Sequence, residues 1–203
     1  MIKSIKSAID SIWEVPIFYK LLQATLAGGG HSTIKKYLKK QIPKNTKSIL
    51  DQGCGTGEYS LLFNDEYTGL DNSVKDIKHA KERYHSNFIV GTAAKMPFKN
   101  NSFDVIFAVG LHHHLSDGLA KKAILESLRV CKNLGKIIII DAMLPKSPLN
   151  LIGLVLRKLD RGGHVRKAED TLKLLPKGLI FKHEIISSFP FDYLTIVFQN
   201  TKA

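Results

Sequence analysis

Apolar residues recur at helical intervals near the start of the chain. The first stripe of this kind consists of Ile2, Ile5, Ile9, Ile12 and Trp13. Its intervals of three and four predict an amphipathic helix over 2–13. Pro16 separates that helix from a second one over roughly 17–26, and the glycine run at 28–30 offers a hinge before a third at about 31–41. We expect the first two helices to form a lid over a ligand cleft; packing against a sheet and interfacial membrane contact are the alternatives, in that order.

After residue 47, short apolar runs alternate with helical patterns. Strands are predicted at 48–52, 67–71, 88–91, 105–109 and 136–141, and helices at about 57–63, 73–84 and 117–132. The four isoleucines at 137–140 indicate a central strand that is buried on both faces. This alternation predicts a mostly parallel sheet with right-handed crossovers and helices on both faces, and it places a ligand cleft at the carboxyl ends of the strands.

The end of the chain departs from this alternation. Two strand-like runs, 181–187 and 193–198, follow each other with only the residues at 188–192 between them. So short a connection cannot hold a crossover helix, so the two runs should pair antiparallel.

The size of the chain fits one domain. It has 203 residues, of which 44% are hydrophobic, which is enough for one well-buried core and short for two. Its two cysteines, Cys54 and Cys131, suggest neither a disulfide framework nor a zinc site. Lys3, Lys6 and Asp10 interrupt the first apolar stripe, so it holds no signal-peptide core and no span near the ~20 residues that a membrane helix needs. We therefore expect a soluble, cytoplasmic protein.

The chain is strongly basic. Its 30 basic and 18 acidic residues give a formal net charge of +12, which makes nucleic acid, anionic lipid surfaces and acidic substrates candidate partners. Most of the excess is scattered lysine in an isoleucine-rich chain, a bias that AT-rich coding also produces, and the lysine clusters have the spacing of a solvated helix face. Nucleic acid and peripheral membrane contact thus stay open without being favoured, and nothing in the charge indicates an oligomeric state.

The segment DQGCGTG at 51–57 sets an acid and three glycines where a predicted strand turns into a helix. Gly53, Gly55 and Gly57 permit positive φ and the close approach of a ligand. Nicotinamide, flavin and S-adenosylmethionine proteins all use such a turn, so alone it is a weak signal. Asp51 narrows the choice among these cofactors, because a carboxylate there would repel a pyrophosphate but can pair with the α-ammonium of a methionine moiety. Asp71 ends the second predicted strand, where a carboxylate can accept two ribose hydroxyls.

Several motifs together resemble those of the class I S-adenosylmethionine-dependent methyltransferases. They are DQGCGTG at 51–57, Asp71, GTAAKMPF at 91–98, and SFDVIF at 102–107 leading into LHHHL at 111–115. The resemblance runs from about residue 46 to the C-terminus. It implies a Rossmann-like, seven-stranded, mostly parallel sheet with an antiparallel final hairpin and helices on both faces. Residues 1–45 are then a helical lid or packing segment, and 46–203 a methyltransferase domain with a substrate-side insertion at about 143–178.

The resemblance also implies a cofactor, S-adenosylmethionine, with S-adenosylhomocysteine as product. The positions it assigns to cofactor binding are Asp51, Gly53, Cys54, Gly55, Gly57, Asp71, Asn72, Thr92, Ala93, Val109 and Gly110. Asp71 is the strongest of them, as the carboxylate for the ribose. Thr92 departs from the family, which often has an acid there to hold the adenine amino group, so a hydroxyl or the neighbouring backbone amides would take part of that role.

His112, His113 and His114 follow the fourth predicted strand. Methyl transfer needs few catalytic side chains, but an acceptor that must lose a proton needs a base, and imidazole suits that task near neutral pH. The resemblance maps the family's His-His-Leu onto His113, His114 and Leu115, so His113 and His114 are the candidate catalytic residues; the alternative is a structural role in closing the cleft. Three consecutive histidines on an irregular turn cannot all face one way, so no metal site is predicted from them.

The residues after the fourth predicted strand also indicate which type of methyl acceptor the chain uses. Enzymes that methylate the amino groups of nucleic-acid bases typically carry an [DNS]PP[YFW]-type run after this strand, whereas the present chain reads VGLHHHL at 109–115. The sequence therefore favours a small-molecule acceptor.

A cationic segment follows the fifth predicted strand. LDRGGHVR at 159–166 is similar to a signature found in a group of small bacterial class I methyltransferases. Arg161, His164 and Arg166 are predicted to form a pocket for a carboxylate or phosphate of the acceptor. The alternative is a turn in which Asp160 pairs with an arginine and the other residues lie in solvent.

The sequence thus predicts an enzyme that uses S-adenosylmethionine to methylate a small, anionic metabolite by in-line displacement. Two alternatives remain: an RNA methyltransferase that uses the basic surface, and a cofactor-binding scaffold without turnover.

Overall fold

The computed structural model describes residues 30–63, 66–158, 160 and 162–201. The helices predicted over 2–13 and 17–26 lie outside the described residues. So does Arg161, one of the three residues predicted for the anion pocket.

Strands and helices alternate along the described part of the chain. The strands are β1 Ile49–Gln52, β2 Tyr67–Asp71, β3 Asn87–Val90, β4 Phe103–Val109, β5 Cys131–Ala142, β6 Phe181–Ser188 and β7 Phe191–Gln199. The α-helices are α1 over 30–41, α2 Val74–Arg83, α3 Asp117–Val130, α4 Leu151–Lys158 and α5 Ala168–Leu172. Two 3-10 helices occur at Glu58–Leu62 and His112–His114. The seven predicted strands are confirmed, whereas α4 and α5 were not predicted.

The strands form one sheet in the order β3-β2-β1-β4-β5-β7-β6. The pairs β1–β2, β1–β4, β2–β3 and β4–β5 are parallel, while β7 pairs antiparallel with both β5 and β6. This confirms the mostly parallel sheet with an antiparallel final hairpin. Both hairpin strands extend into the predicted connection, so that only Phe189 and Pro190 separate them.

Strand β5 begins earlier than its sequence pattern predicts. The chain passes directly from α3 into Cys131, which pairs with Phe103, and the regular register with β4 starts at Lys136. Leu134 has a φ of 60° in between. The polar, irregular stretch 132–135 conceals the start of the strand in the sequence.

Two apolar cores cover the two faces of the sheet. Ile137 and Ile139 of β5 belong to the core that contains α3 residues such as Ala120 and Ile124. The alternate positions Ile138 and Ile140 belong to the core formed with α1 and α2. Strand residues alternate between the faces of a sheet, so a strand that is apolar on both faces requires helices on both sides. The layer prediction is thereby confirmed.

Within the described residues, none of the helices is both long and apolar enough to cross a lipid bilayer.

Phe107 lies at the centre of the second core, directly below the glycine turn. It has no exposed surface, and its ring lies 5.7 Å from that of Phe63 and 6.1 Å from that of Tyr59. We expect Phe107→Ala to lower the free energy of unfolding by about 3–5 kcal/mol, because removing a buried ring loses transfer energy and leaves a cavity. Urea denaturation measures this.

The matched control is Leu125→Ala, since Leu125 is 54% exposed and should change stability by less than about 0.5 kcal/mol. Equal effects of the two substitutions would contradict this description of the core.

Candidate active site

The glycine turn follows β1 at the carboxyl edge of the sheet. Gly53, Gly55 and Gly57 have φ values of 82°, 51° and 80°, a region that side chains disfavour. A Cβ at Gly53 would lie 2.8 Å from the Leu111 side chain, and one at Gly57 2.6 Å from the ring of Phe88, whereas a Cβ at Gly55 would meet no atom within 4 Å. The turn therefore needs glycine for its backbone, and the space above Gly55 can admit a ligand.

Asp71 ties this turn to the start of α2. Its Oδ2 accepts a hydrogen bond from the Gly55 amide at 2.9 Å, and its Oδ1 accepts one from the Ser73 amide at 2.8 Å. The N-cap of α2 is Ser73, whose hydroxyl accepts from the Asp76 amide. Each oxygen of Asp71 keeps a lone pair for a further donor, so the carboxylate can hold the backbone and accept ribose hydroxyls together. Asn72, beside it, is exposed.

Asp51 is a buried carboxyl with one unused oxygen. It is 1% exposed; its Oδ2 accepts a hydrogen bond from the Tyr67 hydroxyl at 2.6 Å. Its Oδ1 has no hydrogen-bond partner among the described residues. Burial raises the pKa of Asp51 to about 7; the charge of Asp71 adds to the rise and the Tyr67 hydroxyl opposes it. A buried carboxyl that lacks one partner fits the ammonium group predicted for this position.

The segment after β3 lies next to Asp71, because the Gly91 amide donates to the Asp71 carbonyl at 2.9 Å. Thr92 is exposed and forms an isolated bridge with Lys95. The carbonyl of Ala93 accepts a hydrogen bond from the buried side chain of Gln52 at 3.2 Å. The structure thus places Thr92 and Ala93 beside the end of β2, as a base-binding segment requires.

A cavity of about 280 Å³ opens over the glycine turn. Its lining includes six of the predicted site residues: Gly53, Cys54, Gly55, Val109, Gly110 and His113. It also includes Arg157 and Tyr193, which sequence reasoning missed. A larger hollow of about 420 Å³ lies near the start of β1, around Ile49 and Lys39, and contains none of the predicted residues.

His113 is held between two carboxylates. Its Nδ1 lies 2.8 Å from Oδ1 of Asp141, which is 2% exposed and close to the end of β5. We assign the Nδ1 proton to this bond, which leaves the Nε2 lone pair of the neutral ring available. Nε2 lies 3.6 Å from Oδ1 of Asp160. The buried Asp141 thus fixes the orientation of His113 at the wall of the cavity.

The other two histidines have different surroundings. His112 is 1% exposed, and neither of its ring nitrogens has a hydrogen-bond partner among the described residues. Burial lowers its pKa and keeps the ring neutral. The ring of His114 lies against that of His113, tilted by 39° with the centroids 4.2 Å apart, and the pKa of His114 is lowered first by partial burial and then by the charge of His113. As the sequence predicts, the three side chains do not face one way.

The predicted anion pocket does not assemble from its described members. His164 is exposed. Arg166 donates to the carbonyls of His112 and Leu115 at 2.9 and 2.6 Å and to Asp117 at 2.8 Å. These contacts give Arg166 a structural role that the sequence prediction did not include: it fastens the histidine turn to the segment before α5. One part of the alternative is present, since Asp160 lies 3.4 Å from the guanidinium of Arg157, but Arg166 does not lie in solvent, because its side chain is only 10% exposed.

Comparison with known proteins points to one family. A family model described as a methyltransferase domain matches residues 50–139. Demethylmenaquinone methyltransferase of Thermotoga maritima is 32% identical over 136 residues, which cover 64% of this chain and 58% of that protein. The crystal structure of YcgJ from Bacillus subtilis matches with a TM-score of 0.67 at 18% identity, over 85% of this chain and 100% of that one. The structure of PH0226 from Pyrococcus horikoshii matches with a TM-score of 0.64 at 25% identity, over 83% and 88%.

Residues 50–139 are thus similar to the methyltransferase domain family, and the chain shares its fold with YcgJ and PH0226, in agreement with the resemblance to class I S-adenosylmethionine-dependent methyltransferases. It spans only about half the length of the curated relatives that it matches, 58% and 51% for two of them. The comparisons therefore support a methyltransferase domain, while the activity of the whole protein and its acceptor have to be inferred from the residues of this chain.

The site fits the cofactor of this family on two observations: the unpartnered Oδ1 of buried Asp51 and the open space above Gly55. A metal can also be accommodated. His113, His114 and Asp160 each offer one ligand atom within 4.8 Å of the others, and imidazole with carboxylate is a donor set that zinc accepts. The sequence prediction of no metal considered the histidines alone, and Asp160 enters from a distant segment.

Of the missed residues Asp141 and Arg157, only Asp141 carried a signal in the sequence. Asp141 ends the isoleucine run of β5, so the rule that selects Asp51 and Asp71, an acid at the carboxyl end of a buried strand, selects it as well. Arg157 follows Leu156 on the buried side of α4, a helix that the sequence did not predict.

The raised pKa of Asp51 predicts that cofactor affinity depends on pH. The ammonium group pairs with the ionised carboxylate, and with a pKa of about 7 this form is scarce at pH 6 and predominates by pH 7.5. S-Adenosylhomocysteine should therefore bind about eightfold more tightly at pH 7.5 than at pH 6, because apparent affinity scales with the competent fraction. Isothermal titration calorimetry at the two pH values measures this.

Asp51→Asn is the matched control, since it keeps the size of the side chain and has no titrating group; it should bind weakly at both pH values. A pH dependence that persists in Asp51→Asn would assign the effect to another group.

Proposed function

We propose that the chain transfers the methyl group of S-adenosylmethionine to a small, anionic metabolite by in-line displacement. The observation that carries this proposal is the cavity that joins the glycine turn to His113, because one space then adjoins both the cofactor-binding segment and a candidate base. A relative named demethylmenaquinone methyltransferase supports a small-molecule acceptor.

The cofactor would supply an activated methyl group on positively charged sulfur, so the chain has mainly to bind and orient. Asp51 would pair with the ammonium group, Asp71 would accept the ribose hydroxyls, and Thr92 with Ala93 would flank the base. Val109 and Gly110, at the end of β4, would border the methyl group. Burial of Asp51 strengthens this arrangement, since a charge pair is worth more where water is excluded.

His113 would accept the proton that the acceptor loses. Its Nδ1 is bound to Asp141 at 2.8 Å, so the ring is oriented and Nε2 is the basic atom. His114 would assist as the neighbouring ring, tilted against His113; it is more exposed than His113 and lacks a carboxylate at hydrogen-bond distance in the part of the chain described.

Three observations favour alternatives to this proposal. The net charge of +12 and a Bos taurus relative named probable tRNA methyltransferase 9B, of which this chain covers 23%, favour an RNA acceptor as the second candidate. The [4+2]-cyclase SpnF shares the fold with a TM-score of 0.67 at 18% identity, which shows that this fold serves more than one reaction.

The proposal is tested with S-adenosylmethionine carrying a labelled methyl group. Incubation with the small-molecule fraction of a cell extract should give a labelled product that depends on the protein. Label that enters only RNA, with an RNA affinity that falls steeply with salt, would support the second candidate. Tight cofactor binding without transfer to any fraction would indicate a scaffold.

Once an acceptor fraction is in hand, His113→Gln tests the catalytic assignment. We expect kcat to fall about 10²- to 10⁴-fold, the usual contribution of a general base, while the dissociation constant of S-adenosylhomocysteine stays within about twofold of the wild type. Asp141→Asn should lower kcat in the same direction, because the ring loses its orienting partner.

His79→Ala is the control, since His79 is exposed on α2 and should leave both values unchanged. Wild-type turnover in His113→Gln would show that the acceptor needs no base or that another group acts as the base.

A further inference from the structure

Arg157 is a buried cation at the wall of the cavity. Its side chain is 7% exposed, and its guanidinium carbon lies 4.6 Å from the ring centroid of Phe191 and 5.2 Å from that of Tyr193. It lines the same cavity as His113 and Gly110. A cation is therefore held against two neighbouring aromatic rings, next to the space in which an acceptor would lie.

The hydrogen bonds of this guanidinium are long and incomplete. One terminal nitrogen lies 3.4 Å from Oδ2 of Asp160, and the other lies 3.3 Å from the Asp192 carbonyl. Charge-assisted bonds are usually about 2.7–2.9 Å long. The Nε atom is buried and has no partner among the described residues. A buried charged donor without a partner costs free energy, so the group is set to gain from an anion.

Arg166 shows what a structural arginine looks like in the same chain. Its guanidinium makes four bonds of 2.6–3.0 Å to two carbonyls and to Asp117. The bonds of Arg157 to Asp160 and to the Asp192 carbonyl are 3.4 and 3.3 Å long and form no bidentate pair; its guanidinium also interacts with the Tyr193 hydroxyl. The donors of Arg166 are therefore used within the fold, whereas Arg157 can still donate strong hydrogen bonds to a ligand.

Asp160 does not neutralise Arg157 fully, because it serves three groups. Its Oδ1 accepts the Gly162 amide at 2.9 Å and lies 3.6 Å from Nε2 of His113. Only the other oxygen faces Arg157, at a distance beyond that of a strong ion pair. An acceptor carboxylate or phosphate can therefore bind the guanidinium without removing Asp160 from its backbone contact.

We propose that Arg157 is the anion-binding residue for the methyl acceptor and takes its carboxylate or phosphate group. This inference rests on the proposed function. The acceptor then carries an anionic group at Arg157 and a nucleophilic atom at Nε2 of His113, two points on one cavity of about 280 Å³. The anion site predicted from Arg161, His164 and Arg166 thus moves to a residue at the end of α4.

The binding test uses simple anions as probes. Inorganic phosphate and benzoate are titrated separately into the protein saturated with S-adenosylhomocysteine, and the midpoint of thermal unfolding is followed. At least one anion should raise the midpoint of the wild type, and Arg157→Gln should abolish that rise. Which anion acts distinguishes a phosphate-bearing from a carboxylate-bearing acceptor. Lys158→Ala, a change at the exposed neighbour on the same helix, should leave the rise intact; a rise that survives Arg157→Gln or is lost in Lys158→Ala overturns the proposal.

The second test begins with the wild type, so its first readout does not depend on the folding of a variant. Labelled products from the cell-extract reaction are passed over an anion-exchange resin. The account expects the label to be retained, and Arg157→Lys to lower kcat/KM for the retained fraction at least tenfold with unchanged affinity for S-adenosylhomocysteine. Label found only in the unretained fraction overturns the role of Arg157 while methyl transfer stands. No label in any fraction contradicts the proposed function itself.

Discussion

The site depends on parallel strands that end at one edge of the sheet. Gln52 of β1 is in register with Leu70 of β2, and Val109 of β4 with Ile140 of β5. The residues at these strand ends are distant in sequence and become neighbours only through this register. A one-residue shift would turn each side chain to the other face. The register therefore brings Asp71, the glycine turn and Asp141 into one site.

The acids at these strand ends have two kinds of role, the binding of a ligand and the orientation of a side chain. Asp71 accepts one hydrogen bond from the Gly55 amide and one from the Ser73 amide. It therefore shapes the glycine turn and would also bind the ribose. Asp51 is buried and half satisfied, which suits a cationic partner. Asp141 binds His113 and, in the proposed function, would orient the base on the acceptor side. Three carboxylates of one type thus acquire different roles from burial and partners.

The strands and the glycine turn could be predicted from the sequence, because the local pattern of apolar and glycine residues agrees with the fold. The alternation of apolar runs predicted each strand, and the glycines with Asp51 predicted the turn. The structure of residues 143–178 was harder to predict from the sequence. Helix α4 is short and its outer face is apolar, with Leu151 68% exposed, so no amphipathic pattern marked Arg157 as buried. Arg166 was misassigned because sequence shows a cation but not that carbonyls of the histidine turn already bind it. Which of two neighbouring histidines meets a carboxylate is likewise decided by the register of β5.

The central claim is that S-adenosylmethionine binds on the glycine turn with Asp71 as its principal anchor. Calorimetric titration of S-adenosylhomocysteine into the wild type and into Asp71→Ala tests it most directly, with Glu82→Ala, an exposed position at the other end of α2, as control. We expect saturable binding to the wild type and to Glu82→Ala and at least a tenfold weaker affinity for Asp71→Ala, about 1.4 kcal/mol or more. No binding to the wild type, or undiminished binding to Asp71→Ala, would contradict it.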